Sequence, residues 1–183
     1  MFKLPVLAMS VCLLLTPVAQ AKIMLVNTRA QNPAQLSAIN LQKSEAFFAS
    51  NKKKAGVKTL PNGLQYKIIK NGHGNSPTAD DYVTVYYQAT LLDGTVFTRA
   101  ERPNAPNTLE LSTTIPGLVD ALQQMKPGAK WMVYIPPQLA YGTKGIRNKV
   151  PSNSALIFEI ELVAIVPAPD ESVTGVLEEL KEN

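Results

Sequence analysis

From Tyr82 to Leu91 the side chains alternate without a break, with Val83, Val85, Tyr87, Ala89 and Leu91 on one side and Tyr82, Thr84, Tyr86, Gln88 and Thr90 on the other. Successive side chains of a strand point to opposite faces, so this stretch reads as a half-buried antiparallel strand with one dry and one wet surface. Such a strand needs ladder partners along its edges and apolar cover over its dry face. Partner strands are expected at Leu64–Lys70, at Val96–Thr98 after the Asp93-Gly94 hairpin signal, and at Thr108–Leu111. Two longer ones follow: Lys130–Ile135, with Trp131, Val133 and Ile135 on one face, and Ala155–Val166, with Leu156, Phe158, Ile160 and Leu162 turned inward. The cover comes from Leu118, Ala121, Leu122 and Met125, which recur at helical spacing behind Pro116 and ahead of the Pro127-Gly128 turn. The expectation is an α+β domain: a four- to six-stranded antiparallel sheet with one short helix, preceded by a separate N-terminal helix from Ala34 to about Lys53 that Gly56 ends.

The ends read differently. Lys3, an apolar run from Val6 to Leu15 and Ala19-Gln20-Ala21 form the pattern of a secretory signal peptide over residues 1–21. An uncleaved anchor is the other reading, although the apolar run is short for a bilayer. Cleavage would remove Cys12, the only cysteine, and leave 17 Lys and Arg against 14 Asp and Glu. A chain with that leader and no thiol suits an oxidising compartment, and the periplasm is expected, with outer-membrane association open. Residues 22–56 form the N-terminal helical segment and linker, and residues 168–183 an acidic tail in which 173–181 is either a loose helix or disordered. The run Asn51-Lys52-Lys53-Lys54 is a solvated helix end or, on the rarer reading, a basic patch for nucleic acid or lipid. Residues 143–154 read as a flexible basic loop.

Conventional catalytic chemistry is poorly supplied. His73 is the only histidine and lies among turn residues, so no histidine triad or relay is available. Phosphate-binding glycine motifs are absent, and Asp80-Asp81 reads as a turn at the start of a strand. The net charge of +4 comes from scattered lysines and gives nucleic acid no support. What remains are aromatic and aliphatic side chains that a curled sheet would bring together: Tyr87, Phe97, Trp131 and Phe158 from separate strands, Ile115 and Leu118 at the helix, and Tyr141 beyond it. These are either plain core or the wall of an apolar site.

Four stretches carry a resemblance: LPNGLQYKIIKNG, DDYVTVYYQATLLDGTVF, IPGLVDALQQMKPGAKWMVYIPPQLAYG and VPSNSALIFEIELVAI. In order and spacing they resemble the FK506-binding-protein type of peptidyl-prolyl cis/trans isomerase, and KSEAFFASNKKKAGVKTLPNGLQYK resembles the linker of the macrophage-infectivity-potentiator branch. The resemblance implies a curved antiparallel sheet wrapped around one short helix across residues 57–167, isomerisation of X-Pro bonds, and no cofactor or metal. It assigns Tyr87, Phe97, Thr98, Ile115, Tyr141 and Phe158 to the catalytic wall, and Leu118, Thr114, Ile146, Val150 and Trp131 to substrate binding. By the same resemblance, the Ile115 backbone N–H and the Tyr141 hydroxyl bind ligand carbonyls. Two positions depart from the family pattern: Leu118 stands where tryptophan is usual, and Thr98 where aspartate is usual. The partners implied are proline-containing polypeptides and, more weakly because of these departures, FK506- or rapamycin-like macrolides. Neither nucleic acid nor a membrane span is implied. A chaperone or peptide-binding use of the same fold, with weak or no isomerase activity, is the alternative.

Overall fold

The computed structural model describes residues 32–102 and 104–166. The expected leader at 1–21, Cys12, the chain before Asn32 and the acidic tail at 168–183 lie outside the described residues.

Among the described residues seven strands build one sheet, β1 (Val57–Thr59), β2 (Gln65–Lys70), β3 (Tyr82–Leu91), β4 (Val96–Ala100), β5 (Asn107–Glu110), β6 (Lys130–Ile135) and β7 (Leu156–Val166). The order is β1-β2-β6-β7-β3-β4, all neighbours are antiparallel, and β5 joins β3 beyond β4. The count exceeds the expected four to six because Val57–Thr59 pairs with Gln65–Lys67 across the Leu60–Gly63 turn. Three residues are too short for an alternation to register.

β3 is the spine. β7 pairs with it along its whole length, from Tyr82↔Val166 to Leu91↔Leu156. Its other edge is divided: β5 takes Tyr82–Val85 and β4 takes Tyr87–Thr90. The dry face is as expected, with Val83, Val85 and Ala89 fully buried and Tyr87 and Leu91 half-buried against the same core.

Helix α1 spans Pro33–Asn51 and α2 spans Pro116–Leu122. In α2 the buried face is the expected one, with Leu118, Ala121 and Leu122 covered, and Met125 fully buried just beyond the helix end. Gly117 lets α2 approach the sheet closely, because a Cβ there would overlap Ile135 Cγ2 and press on Leu139. Glycine is needed here for space, since its φ is not in the left-handed range.

Helix α1 docks by polar groups and by Phe47, whose ring centroid lies 5.7 Å from that of Tyr134. Its buried residues are Ser44 and Asn51, while Leu36 and Leu41 are exposed. Ser44 Oγ donates to Asn153 O (3.1 Å) and accepts from Ala155 N–H (3.0 Å). Asn40 donates to Ser152 O and Asn153 to Ser37 Oγ, so one helix face is laced to residues 152–155. Farther along, Asn51 Nδ2 donates to Gln65 Oε1, and Gln65 Nε2 donates to Phe48 O, each at 3.0 Å. The helix ends at Asn51, and two tight turns precede Gly56 (φ 79°), which directs the chain into β1.

Two stability predictions follow from these contacts. Ser44→Ala strands a buried N–H and a part-buried carbonyl, so urea unfolding of the full chain is expected to show a loss of about 1–3 kcal/mol. A loss below about 0.5 kcal/mol would mean that the helix is held elsewhere. Gly117→Ala forces α2 off β6, and overpacking of this kind costs typically about 1–3 kcal/mol, read as a lowered urea midpoint.

Candidate active site

The expected wall residues come from five separate segments. Tyr87 lies in β3, Phe97 and Thr98 in β4, Ile115 immediately before α2, Tyr141 after a 3₁₀ turn at Pro137–Leu139, and Phe158 in β7. Phe158 is the hub: its ring centroid is 6.1 Å from that of Tyr87, and 6.2 Å from that of Phe97 in an edge-on pair. Offset and edge-on arrangements at such spacings suit the ring quadrupoles.

Phe97 reaches Phe158 only because of a bulge. The β3–β4 register runs Ala89↔Thr98 and then Thr90↔Val96, leaving Phe97 as the extra residue. In a regular ladder Phe97 would stand opposite Thr90, on the wet face. The bulge re-aims it, so that Phe97 joins Thr98 on the dry side, a use of bulges common beside functional sites. Alternation cannot reveal this displacement.

Burial separates core from wall. Leu118, Val150, Phe158 and Trp131 are 5% exposed or less, whereas Tyr87, Phe97, Ile115, Tyr141 and Ile146 are half-buried against that core. Half-burial of apolar side chains from several elements is what the lining of an open cleft requires. Trp131 lies deeper in the core: its indole stacks on Tyr66 at 4.4 Å and 8°. Thr114 is tied to its own turn, its hydroxyl donating to Glu110 O (2.9 Å), which places it as a support for Ile115. Leu109, opposite Val83 in β5, is half-buried against the same core; a four-residue strand gave no periodic signal to pick it out.

Both donors that the resemblance assigns to ligand carbonyls lack an acceptor among the described residues. Ile115 O accepts from Leu118 and Val119, but the Ile115 N–H has no acceptor among the described residues. The Tyr141 hydroxyl likewise makes no hydrogen bond there. Tyr141 is aimed by local structure: Ala140 adopts an uncommon backbone conformation (φ −125°, ψ −118°), Gly142 N–H donates to Pro137 O (2.9 Å) and Gly145 N–H to Tyr141 O (3.0 Å). Burial first, and the nearby Tyr87 second, push its phenol above the ordinary value of 10.0. The hydroxyl therefore stays protonated at neutral pH and remains a donor.

The other chemical candidates do not converge. His73 is exposed, and Asp81 caps its own turn by accepting from Thr78 N–H (2.7 Å) and Oγ1 (2.9 Å). Among the described residues no group of three or more His, Cys, Asp or Glu is placed to hold a metal ion, and no helix is long and apolar enough to cross a membrane.

Residues 74–163 match the family model of FKBP-type peptidyl-prolyl cis-trans isomerases, and residues 14–68 match that of the domain amino-terminal to them. A peptidyl-prolyl cis-trans isomerase structure from Pseudomonas syringae superimposes with a TM-score of 0.67 at 35% identity, covering 71% of this chain and 96% of that one. The chain belongs to the FKBP-type peptidyl-prolyl isomerase family. FkpA of Escherichia coli gives a TM-score of 0.72 at 36% identity over 84% of this chain and 72% of that structure. The isomerase Mip of Coxiella burnetii is 49% identical over 126 residues, covering 69% of this chain and 55% of Mip. This FKBP chain thus lies in the Mip and FkpA branch, and it spans about half the length of the curated relatives it matches.

The Tyr141 phenol sets a pH signature with a definite sign. Below pH 10 it is protonated in both folded and unfolded chains; above that the unfolded phenol ionises first, so stability falls as the pH rises through the higher folded value. The expected outcome is that Tyr141→Phe loses less stability than the wild type above pH 10, measured by denaturant unfolding. Equal losses would show that the phenol is solvated.

Proposed function

We propose that this chain is a peptidyl-prolyl cis/trans isomerase that binds proline among Tyr87, Phe97, Ile115, Tyr141 and Phe158 and turns the X-Pro bond without a covalent step. The observation that carries this reading is the half-buried apolar lining around an unoccupied Ile115 N–H and a protonated Tyr141 hydroxyl. Rotation about an X-Pro amide requires the loss of its resonance and nothing else, and unaided it takes tens to hundreds of seconds. A dry cleft disfavours the charge-separated planar form relative to the twisted one. The two donors hold the carbonyls on either side while the bond turns, and because they are fixed before the reaction they cost little reorganisation. Each 1.4 kcal/mol or so gained in the twisted state over the planar one gives about tenfold in rate.

Leu118 and Thr98 moderate the activity. Leu118, 5% exposed, supplies a floor without an aromatic plane or an indole donor. Thr98 faces the same side as Ala89 but brings no carboxylate to polarise the cleft. Binding of FK506-like macrolides is weaker for the same reason. These two positions also favour a second reading, in which the cleft holds unfolded chains as a chaperone; suppression of aggregation of a proline-free client would distinguish it. The setting proposed is the periplasm, with exported proteins as clients and the segment at 1–21 as the export signal, tested by fusing that segment to a reporter active only after export.

The decisive experiment is refolding of a protein whose slow phase is proline isomerisation. Catalytic amounts of the full chain are expected to accelerate that phase, and Leu118→Trp with Thr98→Asp to raise kcat/KM by roughly tenfold, about 1.4 kcal/mol. An unchanged slow phase would sink the isomerase reading.

A further inference from the structure

Ile146 and Val150, two of the residues proposed to bind substrate, also border a hollow that the isomerisation chemistry does not use. Residues 146–150 form a tight hairpin: Ile146 N–H donates to Val150 O (2.7 Å), Val150 N–H donates back to Ile146 O (2.9 Å), and Asn148 is left-handed (φ 61°). Gly145 (φ 62°) leads into it, and a Cβ there would overlap Val150 O, so the backbone dictates the shape. The hairpin folds over a hollow of about 340 Å³ whose apolar surface comes from Leu91, Ile146 and Pro151, and whose charged surface comes from Lys144, Arg147 and Lys149. That volume suits a few residues of extended peptide.

The charge there is unbalanced. From Asp120 to Glu159 the sequence contains no other carboxylate side chain, while Lys144, Arg147 and Lys149 fall within six residues. All three are exposed, and none is ion-paired among the described residues, where the salt bridges are Arg102–Glu161 and Lys130–Glu159. One carboxylate, Asp93, lies with Leu91 and Pro151 around an adjoining hollow. It is engaged by Thr95 N–H (2.9 Å) and lies near Lys43. Among the described residues the cations therefore face solvent beside an apolar surface, without an ion-pair partner.

Ile146 and Val150 link this hollow to the proposed proline-binding set, to which both also belong. We propose that the hollow is an accessory subsite for acidic residues flanking the X-Pro bond, so that this chain selects polypeptide segments in which proline has aspartate or glutamate close by. The proposal rests on the isomerase reading for the position of the proline. Polypeptide is favoured over nucleic acid because the lining mixes aliphatic surface with three cations and offers no aromatic face on which a base could stack. Lysine and arginine on a short hairpin give rim electrostatics, which discriminate between partners and fade with salt.

The test is a fluorescence-anisotropy titration of the full chain with three labelled peptides: Leu-Pro flanked by glutamates, the same with glutamines, and the glutamate peptide with alanine in place of proline. At low salt the glutamate-proline peptide is expected to bind about three- to tenfold more tightly than the glutamine peptide, the range for a few exposed pairs. The preference should vanish near 1 M salt, and in the Lys144→Gln, Arg147→Gln, Lys149→Gln triple variant. Equal affinity of the wild type for the first two peptides would overturn the proposal, as would a preference that survives the triple substitution. Full affinity for the alanine peptide, or tighter binding of a single-stranded oligonucleotide or of phosphatidylserine vesicles, would overturn it too. Isomerisation of the glutamine peptide, followed by exchange NMR, reads the catalytic assignment separately. Its absence would sink that assignment, while the affinity ratio still decides this one.

Discussion

The long ladder between β3 and β7 is the constraint on which the rest of the site depends. It fixes Ala89 beside Phe158 and Tyr87 beside Ile160, and so sets which aromatic rings can meet. Because β7 occupies one edge of β3 throughout, the remaining partners must share the other edge, and β4 and β5 each take half. The division leaves β4 free to carry its own irregularity. The bulge at Phe97 can form because β4 answers to β3 alone among its neighbours in the sheet order. A side chain that a regular ladder would have pointed to water thus closes a ring cluster with Phe158.

Under the proposed isomerase reading, the cleft prepares its chemistry in advance. Its donors include a backbone N–H at the start of α2 and a phenol whose proton burial retains. Both are held by structure outside the cleft. Thr114 braces the turn before Ile115, and the hydrogen bonds through Gly142 and Gly145 fix Tyr141. Farther out, Ser44 of α1 secures residues 153–155, just past the hairpin that contributes Val150. A helix that contributes no wall residue therefore bears on the wall through the backbone it anchors.

Features with a period were legible in the sequence. The faces of β3, β6 and β7 and the buried stripe of α2 follow directly from spacing, because burial of one face imposes that spacing. What escaped has no period. β1 is three residues long. The Phe97 bulge is a one-residue slip, invisible until the partner strand is known. The polar part of the docking of α1 went unread because it uses Ser44 and Asn51, and small polar residues on a helix ordinarily signal its wet side. The loop at 143–154, read as flexible, is instead organised by left-handed Gly145, Asn148 and Asn153, whose glycine and asparagine identities were the available signal. In the candidate site, Phe158 and Tyr87 were readable from alternation, whereas Trp131 shares the inward face yet stacks on Tyr66 in the core.

The brevity of the outer strands bears on how such a protein could handle other chains. A sheet ends in rows of unpaired N–H and C=O groups, which offer a template to any extended polypeptide. Here the edge strands, β1, β4 and β5, have three, five and four residues, and β4 is distorted by its bulge. Exposed backbone of that length gives an incoming strand too little to hold. A protein meeting unfolded chains at its cleft would in this way keep side-chain recognition apart from backbone pairing, and release its clients without nucleating their aggregation on itself.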